Sequence, residues 1–143
     1  MSFPLSVAKE IAEATLRQGR AEEAAPLAVA VLDTGGHVQV VLREDGAGYL
    51  RVDIATAKAW GALGMGEPSR QLATRATQRP EFFTSLVEIG RGRIGLAAGG
   101  VLCTDDAGVL VGAVGVSGDT SDVDEHCAVV AIEAAGYRAL TGA

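Results

Sequence analysis

Cysteine, histidine, aromatic side chains and excess positive charge are all scarce in this sequence, and each shortage removes a class of function. The 143 residues include two cysteines and two histidines. Cys103 and Cys127 lack CxxC spacing and fall in an expected strand and an expected helix, where buried thiols serve as small hydrophobes. A reducing, cytoplasmic setting fits that usage. His37 and His126 stand far apart in the chain and make no ligand set, so neither a zinc site nor a histidine-held haem is supported. Basic residues number 12 against 18 acidic ones, with a pI near 4.8. No basic block is concentrated on one element, which argues against a nucleic-acid partner. Long apolar runs are missing as well. The N-terminal stretch mixes acids and bases among its apolar residues, unlike a signal peptide, and no later run reaches membrane-spanning length. The expectation is a soluble cytoplasmic protein with no membrane partner.

One Trp, two Tyr and three Phe leave alanine, glycine and valine to make the core. Such residues let helices and sheet approach closely but bury little apolar area per position. Self-association is an additional source of burial. The length suits a single domain spanning residues 1–143.

What is present is organised as two strand, turn, strand units. Val7, Ile11 and Ala14 recur at helical spacing, predicting a first helix that ends near Gly19. Leu27 to Leu32, the turn Asp33-Thr34-Gly35-Gly36 and the alternating Val38, Val40 and Leu42 form a hairpin. An alanine-rich helix follows from Asp53 to Met65, then short helices over Ser69 to Thr77 and Pro80 to Ile89. Gly90 to Gly95 is a loop carrying Arg91 and Arg93, whose guanidinium groups suit a carboxylate or phosphate, although solvated loop arginines are commoner.

The stretch Gly99 to Glu125 anchors the rest. Val101 and Leu102 lead into the turn Asp105 to Gly108, and Val109 to Val116 returns as a glycine-rich strand. Gly112, Gly115 and Gly118 are expected to bare one face of it. Ser121 with Asp124 fits a capping box opening a last helix that runs to about Leu140. Two turn-connected pairs with helices between and around them predict an α+β fold, one antiparallel sheet flanked by helices; a parallel α/β sheet is disfavoured because turn-connected neighbours cannot be parallel.

Several ordered blocks resemble the GlcG/HbpS-like haem-binding family, also seen as the C-terminal domain of PduO-type proteins. They are AVAVLDTGGHVQVVLREDGA, DIATAKAWGALGM, RPEFFTSLVEIGRGRI, Gly99-Gly100 and GAVGVSGDTSDVDEHCA. The resemblance implies a profilin-like fold, homo-oligomers up to octamers and, in some members, binding or degradation of haem. Two acids that bind iron ahead of the helix lysine in some members correspond here to Asp53 and Thr56, before Lys58, so one acid is kept. A hydroxyl residue that ligates haem in one branch falls near Arg93-Ile94, where neither side chain is a normal haem ligand.

The candidate site therefore comprises Lys58, Asp124 and Glu125 as catalytic groups and Arg91, Arg93, Gly99, Gly100, Ser117 and Gly118 as ligand-binding positions, with no metal ligands. Lys58 among alanines either carries a lowered pKa beside a ligand carboxylate or snorkels to solvent. Asp124 and Glu125 serve as caps, as partners of Lys58 or Arg93, or in proton transfer. Gly115-Val-Ser117-Gly-Asp119 lacks the last glycine of a nucleophile elbow, which excludes a serine hydrolase of that type. Two functions follow: an oligomeric binder of haem, a corrinoid or a related small ligand, and a metal-independent enzyme performing proton transfer, isomerisation or decarboxylation on a carboxylated substrate.

Overall fold

Both Asp/Gly turns close by the same hydrogen bonds. In a computed structural model, which describes residues 2–143, Asp33 Oδ1 accepts from the backbone N–H groups of Gly35 and His37 at 2.9 and 3.0 Å. Asp105 Oδ1 accepts from Ala107 and Val109, each at 2.9 Å. The aspartate fixes each turn through its side chain, and Gly36 and Gly108 take the matching left-handed conformation at φ +81° and +80°. The two units thus share one local design.

Each turn joins an antiparallel pair: β1 (Ala28–Leu32) with β2 (Val38–Arg43), and β3 (Gly100–Thr104) with β4 (Leu110–Ser117). β1 and β4 join the hairpins, also antiparallel, with Ala28 opposite Ser117 and Ala30 opposite Gly115. The sheet order is β2-β1-β4-β3-β5. The fifth strand, β5 (Arg138–Leu140), pairs with β3. It lies where the sequence reading continued the last helix to Leu140. That helix, α5, is Ser121–Ala134; Gly136 at φ +90° turns the chain out of it, and the returning segment pairs with the sheet edge.

The terminal helices α1 (Leu5–Ala21) and α5 cover one sheet face, where Ile11, Cys127 and Ile132 pack on Val29, Val31, Val101, Val114 and Val116. α2 (Leu50–Met65) covers the other, laying Ala55, Ala59 and Ala62 on Ala30, Leu32, Leu102 and Ala113. Two short helices, α3 (Ser69–Gln78) and α4 (Pro80–Ile89), pack beyond it around Leu72, Phe83 and Ile94. α1 extends two residues past Gly19, and α2 begins three residues before Asp53. Cys103 and Cys127 are fully buried and free; burial pushes both thiols up, Cys127 to about 11, leaving them inert at neutral pH.

The strand glycines do not share one face. Residues three apart alternate sides on a strand: a Cβ on Gly115 would collide with the Ala55 carbonyl in α2, whereas one on Gly112 would meet the Phe3 ring at 2.9 Å. Gly118 lies against Pro26 and Leu27, with a Cβ there 2.9 Å from the Leu27 Cα. All three make room for the protein's own chain.

Candidate functional site

Because α2 meets the sheet through alanine and glycine, its backbone lies close enough for a lysine to be folded between the layers. A Cβ on Gly95 would lie 2.9 Å from the Lys58 backbone nitrogen, and one on Gly100 only 2.6 Å from the Lys58 carbonyl carbon. The third glycine, Gly99 at φ +126°, clears the Lys58 ammonium, to which a Cβ would approach within 2.9 Å. The glycine pair therefore receives Lys58 itself.

Only 3% of Lys58 is exposed, and it does not snorkel. Its Nζ donates to the Val116 carbonyl at 2.9 Å and to Asp124 Oδ2 at 3.3 Å. Burial lowers the lysine pKa against the pull of Asp124, and the Arg51 charge lowers it further. Burial likewise raises the Asp124 pKa, opposed by the Asp119 N–H and by Lys58. Burial disfavours the charged form of both groups; Asp124 sustains the lysine's charge, while the Asp119 N–H and then Lys58 sustain the carboxylate's.

The capping arrangement differs from the Ser121/Asp124 box read from the sequence. Thr120 is the N-cap, in extended conformation, and its hydroxyl accepts from the Val123 N–H at 3.3 Å. With Thr120 as N-cap, Asp124 stands one residue past the box position; its Oδ1 reaches back to the Asp119 N–H at 2.9 Å while Oδ2 holds Lys58. Glu125, nearly buried, is held by Arg70 at 3.1 Å, and the same guanidinium bonds Asp122. These bonds, Glu125 foremost, raise the Arg70 pKa.

Ser117, 1% exposed, lies at the end of β4, where its hydroxyl accepts from Arg51 Nη1 at 3.3 Å. Arg51 and Arg70 were absent from the sequence-based set. Arg51 precedes Lys58 by seven residues and shares its helical stripe, a spacing that becomes visible once α2 is begun at Leu50. Arg70 has no comparable signal, since its contact with α5 depends on how α3 docks.

Arg91 and Arg93 stand apart from this cluster. Both are exposed; Arg91 occupies a left-handed turn at φ +55°, and the Arg93 guanidinium stacks 4.0 Å from the Trp60 ring centroid. Neither bonds Lys58, Asp124 or Glu125 among the described residues. Ile94 is buried, with its side chain filling the space beside Gly61 and Gly90. His37 lies 3.3 Å from Asp33 and His126 lies 3.1 Å from Glu22, both at the surface. Asp53 is exposed and Thr56 donates its hydroxyl to the Val52 carbonyl at 2.8 Å, so the outer face of α2 offers one carboxylate at this pair of positions. Among the described residues, no group of three or more His, Cys, Asp and Glu side chains is placed to hold a metal ion, and no helix is long and apolar enough to cross a membrane.

The Lys58 cluster is a closed polar junction. Surface grooves occur elsewhere, such as one of about 450 Å³ lined by Arg20, Pro26, Arg43, Glu44 and Asp45. A smaller one of about 130 Å³ runs between Gly35-Gly36 and Trp60. Beside the cluster, at the start of α2, exposed apolar side chains gather: Tyr49, Leu50 and Ile54. Leu50 and Ile54 share a stripe next to that of Arg51 and Lys58.

This fold and its sequence define a family. Residues 3–133 match the model of the haem degrading protein HbpS-like family, and the chain belongs to that family. It is 30% identical over 120 residues to the corrinoid adenosyltransferase PduO of Citrobacter freundii, covering 83% of this chain and 35% of that protein. The chain thus spans about a third of the length of that relative. Among solved structures, HbpS superimposes with a TM-score of 0.81 at 30% identity, covering 94% of this chain and 90% of that one. The Klebsiella pneumoniae protein ORFY does so at 0.84 and 26%, covering 93% and 90%. A PduOC complex with haem gives 0.83 at 24% identity, covering 94% and 95%, a likeness that establishes the fold.

Proposed function

We propose that the protein binds a small amphipathic ligand of the tetrapyrrole class, haem or a corrinoid-related ring, as a homo-oligomer in the cytoplasm. Membership of a haem degrading family over residues 3–133 is the observation that carries this reading. The exposed Tyr49, Leu50 and Ile54 beside the Arg51 cation offer a flat apolar ligand a surface with charge at its edge.

The residues at the position of the hydroxyl ligand in one branch do not fit haem iron. Arg93 is committed to Trp60 and Ile94 to the core, and neither offers an iron-ligating atom. The ring face and its side chains are accordingly proposed as what is recognised. Self-association is supported by the small-residue core and the exposed apolar surface, with closed symmetry expected. Native mass spectrometry with added haem tests both parts. Expected are homo-oligomer masses bearing whole-number ligand increments; a bare monomer at every haem concentration would contradict them.

A second reading, a metal-independent enzyme acting on a carboxylated substrate, is favoured by the buried Lys58 and Asp124 pair, whose shifted acidities suit proton transfer. Turnover in a screen of carboxylated metabolites distinguishes it from binding alone.

A further inference from the structure

Two cations and one carboxylate meet where α2, the end of β4 and the start of α5 converge. Asp124 is committed to Lys58 and to the Asp119 N–H. Asp119, five residues before Asp124, spends its carboxylate on the backbone N–H groups of Ala25 and Thr120, each at 2.7 Å. Arg51 is half-buried, has no carboxylate within 4.0 Å among the described residues, and bonds only the Ser117 hydroxyl at a long 3.3 Å. Its field reaches Lys58 and works against the lysine's charge. A guanidinium held over a buried hydroxyl, with a second cation behind it and no anion assigned to it, leaves one positive charge in excess. Supplying that anion from outside would replace a weak neutral hydrogen bond by a charge-assisted, bidentate one.

We infer that Arg51 and Ser117 form a carboxylate-binding subsite that takes an acidic side chain of the ligand. The inference deepens the tetrapyrrole reading and rests on it for the identity of the ligand, but the chemistry belongs to any carboxylate. Haem presents two such groups. Arg51 carries the charge, the Ser117 hydroxyl is freed to donate to the second oxygen, and Lys58 sits behind them as a positioning residue. The apolar body of the ligand then falls on Leu50 and Ile54, on the adjoining stripe of the same helix.

The test has two arms. In the first, sodium propionate is titrated into isotope-labelled protein while the Ser117 and Gly118 amide resonances are followed. A saturable shift is expected, lost or weakened at least about tenfold, or about 1.4 kcal/mol, in Arg51→Gln and retained in Arg17→Gln, an exposed control on α1. In the second arm, haem and haem dimethyl ester are compared by absorbance titration. Esterification is expected to weaken binding to the wild-type chain and to make no difference in Arg51→Gln. Equal affinity of both forms for wild type, or equal propionate shifts in wild type and Arg51→Gln, would overturn the subsite. Should neither haem form bind, the tetrapyrrole reading fails and the propionate arm alone decides the subsite. The folding of Arg51→Gln is checked by its unfolding transition, and Arg51→Lys, which keeps the charge but not the planar fork, is expected to restore part of the propionate shift.

Discussion

Lys58→Met is expected to cost about 3–5 kcal/mol of folding stability, the usual penalty for leaving one member of a buried ion pair without its partner. The unbranched methionine occupies the channel, so the loss comes from Asp124, whose carboxylate stays buried with only the Asp119 N–H to satisfy it. The burial of Lys58 against Asp124 makes Lys58→Met a stability mutant before it is a functional probe. The pH dependence has a definite sign. A carboxyl whose folded-state pKa is raised, as that of Asp124 is, contributes stability that is present below its unfolded value, here 3.8, and lost as pH rises through the folded value. Without Lys58 that rise is larger, so the deficit of Lys58→Met against wild type is greatest near neutral pH and shrinks toward about pH 4. Lys58→Met with Asp124→Asn is expected to recover about 1–3 kcal/mol by coupling, since the amide oxygen still accepts from Asp119. Urea unfolding of the parent, both single variants and the double variant measures this; additive losses would show that the pair is not coupled.

Gly115→Ala is the other large effect. The added methyl would overlap the Ala55 carbonyl oxygen and lie 2.9 Å from its carbon, and both obstacles are backbone. No side chain can rotate away, so α2 must lift off β4, and the loss should exceed the ~1–3 kcal/mol of ordinary overpacking. Lifting α2 also draws Lys58 from Asp124 and Val116, coupling the packing defect to the polar junction. Gly64→Ala is the matched control on the same helix: nothing lies within 4 Å of its Cβ position and its φ is ordinary. It is expected to gain about 0.5–1 kcal/mol from helix propensity. Thermal unfolding ranks the two variants, and a Gly115→Ala protein as stable as the parent would refute the close approach of α2 to the sheet.

Much of the fold was legible because its signals are local. Asp33 and Asp105 announce their turns through short-range chemistry, and the strands they connect alternate or run apolar as buried strands do. The break at Gly136 was also local, but alanine-rich periodicity up to Ala135 concealed the three-residue strand beyond it, whose existence depends on the free edge of β3. The site was legible only in part. Lys58 was suspect because a lysine among alanines must be buried or snorkel, and Ser117, Asp124 and Glu125 because they stand where a strand runs into a helix. Which carboxylate faces which cation is decided by docking across the sheet. Arg93 and Arg70 show the limit: one has an inviting glycine-rich setting yet stacks on Trp60, while the other has none yet binds Glu125 and Asp122.

The central claim, that the chain takes a tetrapyrrole through its ring and carboxylates and not through an iron ligand at Arg93 or Ile94, is tested most directly by titrating it with haem and with metal-free protoporphyrin IX and following the Soret bands. The account predicts saturable shifts with both, at affinities within about threefold, or roughly 0.6 kcal/mol. Saturable binding of haem with none of the metal-free ring, or no saturable shift with either, would contradict it.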